Sequence, residues 1–431
     1  MTVATIEPTS AAAPVARRRA RLADARGNPV TAATRETIVE LDRFADIVLR
    51  RGRGARLALD AADAAPDCAM AQACAAATHL FSDSRSGVDL ARVYLDRATR
   101  RIAGATYDEG LFVAALAAIA DARPRTADRL FLALGRSAPG NLLAAYLAHL
   151  HLLNHGRFAE MLELARRICR ANPKDGFALG MLSFALEQNG CVGAAEEAGL
   201  EACARDPRIP WAQHALAHVY GTQGRLAHGI ALLEGHARSW ERCESSMYTH
   251  NWWHLMLLRL ARGETSAVLT LYDSRIAPHA ARSNSSYVNA VSMLARLELA
   301  GVEIGERWIG LADQAESRIG EHVLPFLDIH DTIALAHAGR FGAVAALRRG
   351  ALRHAESGSL EMRQAWRLAG IPLIEALAAY CAGDWELASQ HFRRADGRVH
   401  LIGGSNAQRE LFAALRIAAE RRSPFRLRAF G

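Results

Sequence analysis

Apolar residues recur with helical spacing along most of this chain, in runs of about a dozen positions separated by short turns. The runs over 142–154 and 211–222 are examples, and a turn glycine follows each of them within two residues. Glycine supplies the left-handed turn at the C-terminus of a helix, and proline ends one helix and prepares the entry to the next. Because no segment requires a strand, the pattern predicts an all-α protein.

The turn residues repeat with a fixed period. Three prolines and three glycines recur at intervals of 34 residues: Pro139, Pro173 and Pro207, and Gly156, Gly190 and Gly224. Two helices joined by a short turn at this period are typical of the tetratricopeptide repeat (TPR). We therefore predict one TPR-like α-solenoid of stacked helix–turn–helix repeats over residues 36–422. In such a fold each repeat buries its apolar face only on its neighbours. A disordered basic leader over 1–35 and a tail over 423–431 complete the predicted organisation.

Composition supports helices and excludes several chemistries. Of the 431 residues, 51% are hydrophobic but only 6% are aromatic. Lys174 is the single lysine among the 52 basic residues, and no glycine–lysine pair exists for a phosphate-binding Walker A loop. The net charge of +7 comes partly from arginines near both ends. No basic stretch is interleaved with aromatic residues, so the sequence disfavours nucleic acid as a partner.

Cysteine usage and hydropathy bear on the compartment. The seven cysteines are odd in number, irregularly spaced and never arranged as Cys-x-x-Cys, which favours buried thiols in a reducing compartment. No segment approaches the ~18 unbroken apolar residues of a membrane span. We therefore expect a cytoplasmic protein without a membrane partner, and the sequence leaves assembly into a homo-oligomer open.

Two histidine pairs stand out from the aliphatic background. His214 with His218, and His250 with His254, are spaced i, i+4 and so share one helix face. Each pair lies on the first helix of a hairpin, which lines the concave face of stacked repeats. Counted back from the turn glycine of each hairpin, His214 lies ten residues before it, and His254 and His330 each lie nine before it. This count places the three side chains at similar positions along their helices.

Three interpretations of this region remain open. The histidines could satisfy partners between helices, or form with Trp252 an apolar groove with polar anchors. They could also form a divalent metal or acid–base site from His214, His250, His254 and His330. The first pair lacks the glutamate of the zinc-protease motif. We favour a groove that binds a protein partner or small molecule. A metal-assisted enzyme of specialised metabolism is the alternative, and no cofactor is otherwise indicated.

Two strings carry a family resemblance: His250-Asn251-Trp252-Trp253-His254, and Ile402-Gly403-Gly404-Ser405-Asn406-Ala407-Gln408-Arg409. With them, the chain resembles the tetratricopeptide repeat protein 38 family over about residues 23–422. The resemblance implies a TPR-like fold without an assigned reaction. It departs around 107–114, where the family tends to have a histidine. The candidate site that it implies comprises His214, His218, His250, Asn251, His254, Asp273, Asp328, His330, Ser405, Asn406, Gln408 and Arg409.

Overall fold

A computed structural model describes residues 20–32 and 34–423 of the chain. It is 76% helical, so the predicted all-α class is confirmed. The two strands, β1 and β2, span Ala20–Ala23 and Pro29–Ala32. Short 3₁₀ segments span Ile102–Gly104, Ala237–Arg242, Ala277–Arg282 and Val399–Ile402, and π-helical turns span Tyr272–Ile276 and Trp366–Gly370. The α-helices are α1 Arg35–Leu49, α2 Leu57–Ala64, α3 Ala69–Leu80, α4 Arg85–Thr99, α5 Tyr107–Ala120, α6 Pro124–Ser137, α7 Leu142–Asn154, α8 Phe158–Ala171, α9 Gly176–Gln188, α10 Val192–Arg205, α11 Pro210–Thr222, α12 Leu226–His236, α13 Ser245–Ala261, α14 Thr265–Leu271, α15 Asn284–Leu299, α16 Arg307–Glu316, α17 Pro325–His337, α18 Phe341–His354, α19 Leu360–Ala365, α20 Ile371–Cys381, α21 Trp385–Ala395 and α22 Asn406–Arg422.

The 34-residue period corresponds to helical hairpins. Gly156, Gly190 and Gly224 adopt φ values of 65°, 78° and 68°, and they join α7 to α8, α9 to α10, and α11 to α12. The first helices also pack against one another, α9 on α11, α11 on α13, α13 on α15 and α15 on α17. They are buried almost all round, as in α11, where every side chain from Pro210 to Tyr220 is buried. The side chains of these helices therefore point into the interior of the molecule.

Part of the predicted disordered leader is a β-hairpin. Strands β1 and β2 pair antiparallel, with Leu22 opposite Val30. The Thr31 N–H donates to a Glu109 carboxylate oxygen at 3.0 Å, and Val30 and Ala32 are buried. The prediction of disorder is therefore wrong for residues 20–32, because this short strand docks on a helix far along the chain. The rest of the leader, residues 1–19, and residues 424–431 of the tail lie outside the described residues.

Distant parts of the chain also meet across the interior. The Glu244 N–H donates to the Arg51 carbonyl oxygen at 2.8 Å. The Asn284 side chain donates to the Asp83 carbonyl oxygen at 2.8 Å, and the Asn406 N–H donates to the side chain of Gln188 at 2.9 Å. These hydrogen bonds join segments that are far apart along the chain, so its contacts are not limited to successive helical hairpins. A partly open cavity of about 150 Å³ lies beside the inner helices and is lined in part by Arg51, Asp83 and Asn284.

Within the described ranges, none of the helices combines the length and the hydropathy that a membrane crossing requires.

Candidate metal centre

The two histidine pairs converge in the interior. Helices α11 and α13 pack side by side, with His214 and His218 on the first and His250 and His254 on the second. One ring nitrogen from each of the four imidazoles lies within 4.8 Å of the others. The Nε2 atom of His214 is 3.1 Å from Nε2 of His218 and 3.0 Å from Nε2 of His250. We call these four residues the histidine cluster.

Asn289 on α15 fixes the tautomer of His250. The amide oxygen of Asn289 lies 3.0 Å from Nδ1 of His250, and the amide nitrogen donates to Thr249 Oγ1 at 3.0 Å. Since an amide oxygen can only accept, Nδ1 of His250 carries the proton and Nε2 presents a lone pair. On the other side of the cluster, a carboxylate oxygen of Glu187 lies 3.5 Å from Nδ1 of His218. This contact favours the same tautomer in His218.

Two lone pairs thus face one imidazole nitrogen, Nε2 of His214. That nitrogen carries at most one hydrogen, so it can satisfy only one of the two. In addition, Nδ1 of His214 and Nε2 of His254 are buried and find no hydrogen-bond partner in the described part of the chain. Buried polar atoms are rarely left unpaired. A cation bound between the four rings would accept the lone pairs of His218 and His250 together with those of His214 Nε2 and His254 Nε2, whereas Nδ1 of His214 diverges from its own Nε2 and would keep its hydrogen.

All four imidazoles are held in the neutral form. Burial lowers the pKa of His218 to about 3 and that of His250 to about 4. Burial and the neighbouring imidazoles lower the pKa values of His214 and His254 well below the usual 6.5. Neutral imidazole is the form that binds metal. A tetrahedral ion with bonds of ~2.0–2.1 Å to nitrogen needs ligand atoms ~3.3 Å apart, close to the two Nε2–Nε2 distances.

Aromatic rings surround the histidine cluster. The Trp253 indole stacks on His250 with centroids 5.4 Å apart, and it meets the edge of His254 at 4.9 Å. The ring of Phe184 lies 5.1 Å from that of His214 and 5.3 Å from that of His218. These contacts exclude water from the back of the cluster and fix the ring positions.

The other side of the cluster borders the interior cavity. His214 and His250 line it, together with Arg51, Asp83 and Trp211. Burial raises the pKa of Asp83 to about 7, against the opposing effect of Arg51. Both Arg51 and Asp83 adopt positive φ, 52° and 53°, a conformation that is uncommon outside glycine and concentrates at functional sites.

The segment from Ile402 to Arg409 lies beside the histidine cluster and binds the end of helix α9. Ser405 caps α22 and forms a capping box with Gln408, and both residues line the cavity. Asn406 binds Gln188 through its backbone N–H and accepts a hydrogen bond from Arg409 at 2.6 Å. Because Gln188 follows Glu187, these bonds anchor the segment that presents the carboxylate to His218. Arg409 also donates to the Gly404 carbonyl oxygen, so it is engaged within its own turn.

The structure places His330 away from the cluster. Nδ1 of His330 donates to the Phe326 carbonyl oxygen at 2.7 Å, and its ring packs on those of Phe326 and Phe412. The predicted set of four is therefore wrong in one member, and His218 takes that place. Counting from the turn glycine predicts only the position of a residue along its helix. Helix α15 lies between α13, which carries His254, and α17, which carries His330, so the two side chains are kept apart. Asp328 likewise pairs with His322 at 2.6 Å, outside the cluster.

The remaining predicted residues serve packing or the surface. Trp252 packs against Trp240 with centroids 5.2 Å apart, so its neighbour Trp253 is the indole that contacts the cluster. The Asn251 amide donates to a carbonyl oxygen of α11 at 3.5 Å. Asp273 forms an exposed ion pair at 2.7 Å with Arg307.

The sequence did not predict several residues of the candidate site. Glu187 had a signal, because it is an acidic residue that ends an otherwise apolar helical run. Asn289, Arg51 and Asp83 had none, since only the folded chain brings them beside the histidines. The sequence matches no known protein-family model. The resemblance to the tetratricopeptide repeat protein 38 family therefore stays a prediction.

Proposed function

We propose that this chain is a TPR-like helical repeat protein that binds a divalent transition-metal ion on the histidine cluster and a small molecule in the adjoining cavity. The convergence of four neutral imidazoles with incompletely satisfied nitrogens carries the proposal. The 34-residue hairpins and the contacts between their first helices support the repeat architecture. They also fit the proposed similarity to the tetratricopeptide repeat protein 38 family.

The donor set indicates the kind of metal. Four imidazole nitrogens suit Zn, Cu, Fe or Ni, whereas Mg and Ca prefer oxygen ligands. Glu187 contacts His218, and Asn289 contacts His250. Such partners orient the histidines of metal sites, and their loss typically lowers metal affinity ~10–100-fold.

The cavity favours a small molecule over a protein partner. It has a volume of about 150 Å³, and a cavity of that size accommodates a ligand such as benzene. Cys74, Cys169, Cys191, Cys203, Cys243 and Cys381 are free thiols in the described part of the chain, which supports a cytoplasmic location.

Catalysis in the same cavity is the second candidate. If only three of the four imidazoles bind the ion, its fourth position would face the cavity that His214 and His250 line, and the ion could polarise a bound molecule. Asp83 lines the same space, and its pKa of about 7 suits proton transfer near neutral pH. A dependence of turnover on both the metal and Asp83 would support this candidate over binding alone.

Cobalt titration tests the metal site. We expect the wild-type chain to bind one equivalent of Co²⁺ with the intense visible absorption of a tetrahedral nitrogen site. His218→Gln and His254→Gln should lose this signal while keeping their helical circular dichroism. His330→Gln is the matched control, since His330 is also buried with a lowered pKa but lies outside the cluster. Binding below a tenth of an equivalent, or equal binding by His254→Gln, would refute the proposal.

A further inference from the structure

A cysteine, a histidine and a glutamate meet at the ends of three inner helices, apart from the histidine cluster. His337 is the last residue of α17 and Cys381 the last of α20, and Glu298 lies one residue before the end of α15. The sulfur of Cys381 lies 3.4 Å from Nδ1 of His337, and a carboxylate oxygen of Glu298 lies 2.9 Å from Nε2 of His337. A thiol beside a histidine that a third group orients is the arrangement of an activated nucleophile. We call these three residues the thiol triad.

His337 carries a positive charge in this arrangement. Its Nδ1 lies 2.8 Å from the Ile333 carbonyl oxygen, and its Nε2 faces Glu298. Burial opposes the charge of Glu298, but the hydrogen bond with His337 lowers the pKa of this carboxyl below its usual value, so it is ionised. Since a carbonyl and a carboxylate oxygen can only accept, both ring nitrogens carry a hydrogen and the ring is an imidazolium. Trp308 fixes the pair, because its indole stacks on the ring with centroids 4.6 Å apart and donates to the second Glu298 oxygen at 3.2 Å.

The imidazolium favours the thiolate form of Cys381. The carbonyl end of α17 stabilises the positive ring, whereas the carbonyl end of α20 opposes a negative charge on the sulfur. The neighbouring imidazolium must therefore supply the stabilisation of the thiolate, and such a cation increases the reactivity of a cysteine. Arg422 is the next cation, and it donates to the hydroxyl of Tyr380 at 3.4 Å. Cys381 is partly exposed and precedes an exposed turn over 382–384, which brings it within reach of small solutes.

We propose that Cys381 is a redox-modification site, at which hydrogen peroxide oxidises the thiolate to a sulfenic acid with His337 as the proton donor. The sulfur attacks one oxygen of the peroxide, so that an S–O bond forms and the O–O bond breaks. The sulfur is oxidised and the peroxide is reduced. The departing hydroxide takes a proton from His337 and leaves as water. Thiolate character and exposure are the two properties that make a cysteine susceptible to this step.

The test is oxidation of the whole chain by hydrogen peroxide at pH 7, with dimedone to trap sulfenic acids and EDTA to keep metal ions out of the reaction. Peptide mass spectrometry then gives the labelling rate of each cysteine. Cys191 is the internal control, because it is exposed and its sulfur contacts the Asn189 carbonyl oxygen at 3.9 Å rather than a histidine. We expect Cys381 to be labelled about tenfold faster than Cys191 or more, although Cys381 is the less exposed of the two.

Variants separate activation from packing. His337→Gln should slow the labelling of Cys381 about tenfold or more, and Glu298→Gln should change it in the same direction, with the helical circular dichroism retained. His391→Gln is the matched control, since His391 also pairs with a glutamate, Glu375 at 3.1 Å, but lies outside the thiol triad. A purely structural role of His337 predicts the opposite result, because looser packing would expose Cys381 and speed its labelling.

The pH profile gives a second readout. Alkylation by iodoacetamide should reach its plateau at a lower pH for Cys381 than for Cys191, and His337→Gln should remove this difference. Labelling of Cys381 no faster than that of Cys191 would refute the proposal. Unchanged or faster labelling of Cys381 in both His337→Gln and Glu298→Gln would refute it as well. All of these measurements are made without metal, so their failure leaves the proposed metal site untouched.

Discussion

Glu187 lies behind His218, and its replacement by glutamine tests whether this carboxylate serves a metal ion. A carboxylate oxygen of Glu187 is 3.5 Å from Nδ1 of His218, and the other accepts a hydrogen bond from Thr222 at 3.2 Å. Glutamine keeps the shape and can still accept from Thr222, but its amide nitrogen takes the place of the carboxylate oxygen that accepts from the Gln188 side chain. The substitution therefore removes the negative charge and leaves the packing largely unchanged.

The expected effect follows from the role of the carboxylate. A partner that orients a metal-binding histidine and raises its basicity is worth ~10–100-fold in metal affinity. This corresponds to about 1.4–2.8 kcal/mol. Burial raises the pKa of Glu187, which shows that its charge is costly where it lies. Without a metal ion, relief of this buried charge and loss of the hydrogen bond from Gln188 oppose each other, so Glu187→Gln should change the free energy of unfolding by less than about 1.5 kcal/mol.

Competition with a chromophoric chelator measures the affinity, and urea unfolding of the apoprotein measures the stability. The control is Glu196→Gln, because Glu196 lies on the neighbouring helix α10 and pairs with Arg225 at the surface. We expect Zn²⁺ affinity to fall at least tenfold in Glu187→Gln and to change less than twofold in Glu196→Gln. Equal Zn²⁺ affinity in both variants would refute the assigned role of Glu187.

Three further predictions concern stability. Gly403 has φ +79°, and a Cβ there would lie 2.3 Å from the Asn154 carbonyl oxygen. Gly403→Ala should therefore lower the free energy of urea unfolding by about 1–3 kcal/mol more than Gly383→Ala does. Gly383 is the control, because its φ is +81° but a Cβ there would meet no atom of the described chain within 4 Å. Equal losses of stability in the two variants would contradict this prediction. Burial alone would lower the pKa of His337, but its contacts with Cys381 and Glu298 raise it to about 10. The contribution of His337 to the free energy of unfolding should be complete below pH 6.5 and should disappear as the pH rises to about 10. His337→Gln should therefore make the free energy of unfolding less dependent on pH over that window. The same pH dependence in the wild-type and variant proteins would contradict this prediction. Zn²⁺ at 100 times its dissociation constant should stabilise the fold by about 2.7 kcal/mol, reversibly with chelator, and an unchanged unfolding midpoint would exclude a site specific to the folded chain.

Local sequence patterns predicted the helices well, because hairpin boundaries depend on nearby residues. Gly156, Gly190 and Gly224 adopt the left-handed conformation that their spacing indicated. The i, i+4 spacing also placed each histidine pair on one helix face correctly. These features follow from backbone geometry within a single repeat.

The parts that the sequence could not provide depend on distant contacts. His330 matched the height of His254, yet α15 separates their helices, and no count along the chain reveals that. Arg51 reaches the cavity because its carbonyl oxygen accepts from Glu244 far along the chain. Strand β2 docks on helix α5 because the Thr31 N–H donates a hydrogen bond to the Glu109 carboxylate. Such pairings need a three-dimensional neighbour, which periodicity does not supply.

X-ray absorption of the Zn²⁺-loaded chain tests the central claim most directly, because it reports the ligands of the ion themselves. We predict one equivalent of zinc with nitrogen ligands at ~2.0–2.1 Å and the outer-shell scattering of four imidazoles. Substoichiometric zinc, or a shell of oxygen ligands with fewer than three imidazoles, would contradict the claim that His214, His218, His250 and His254 form a metal site.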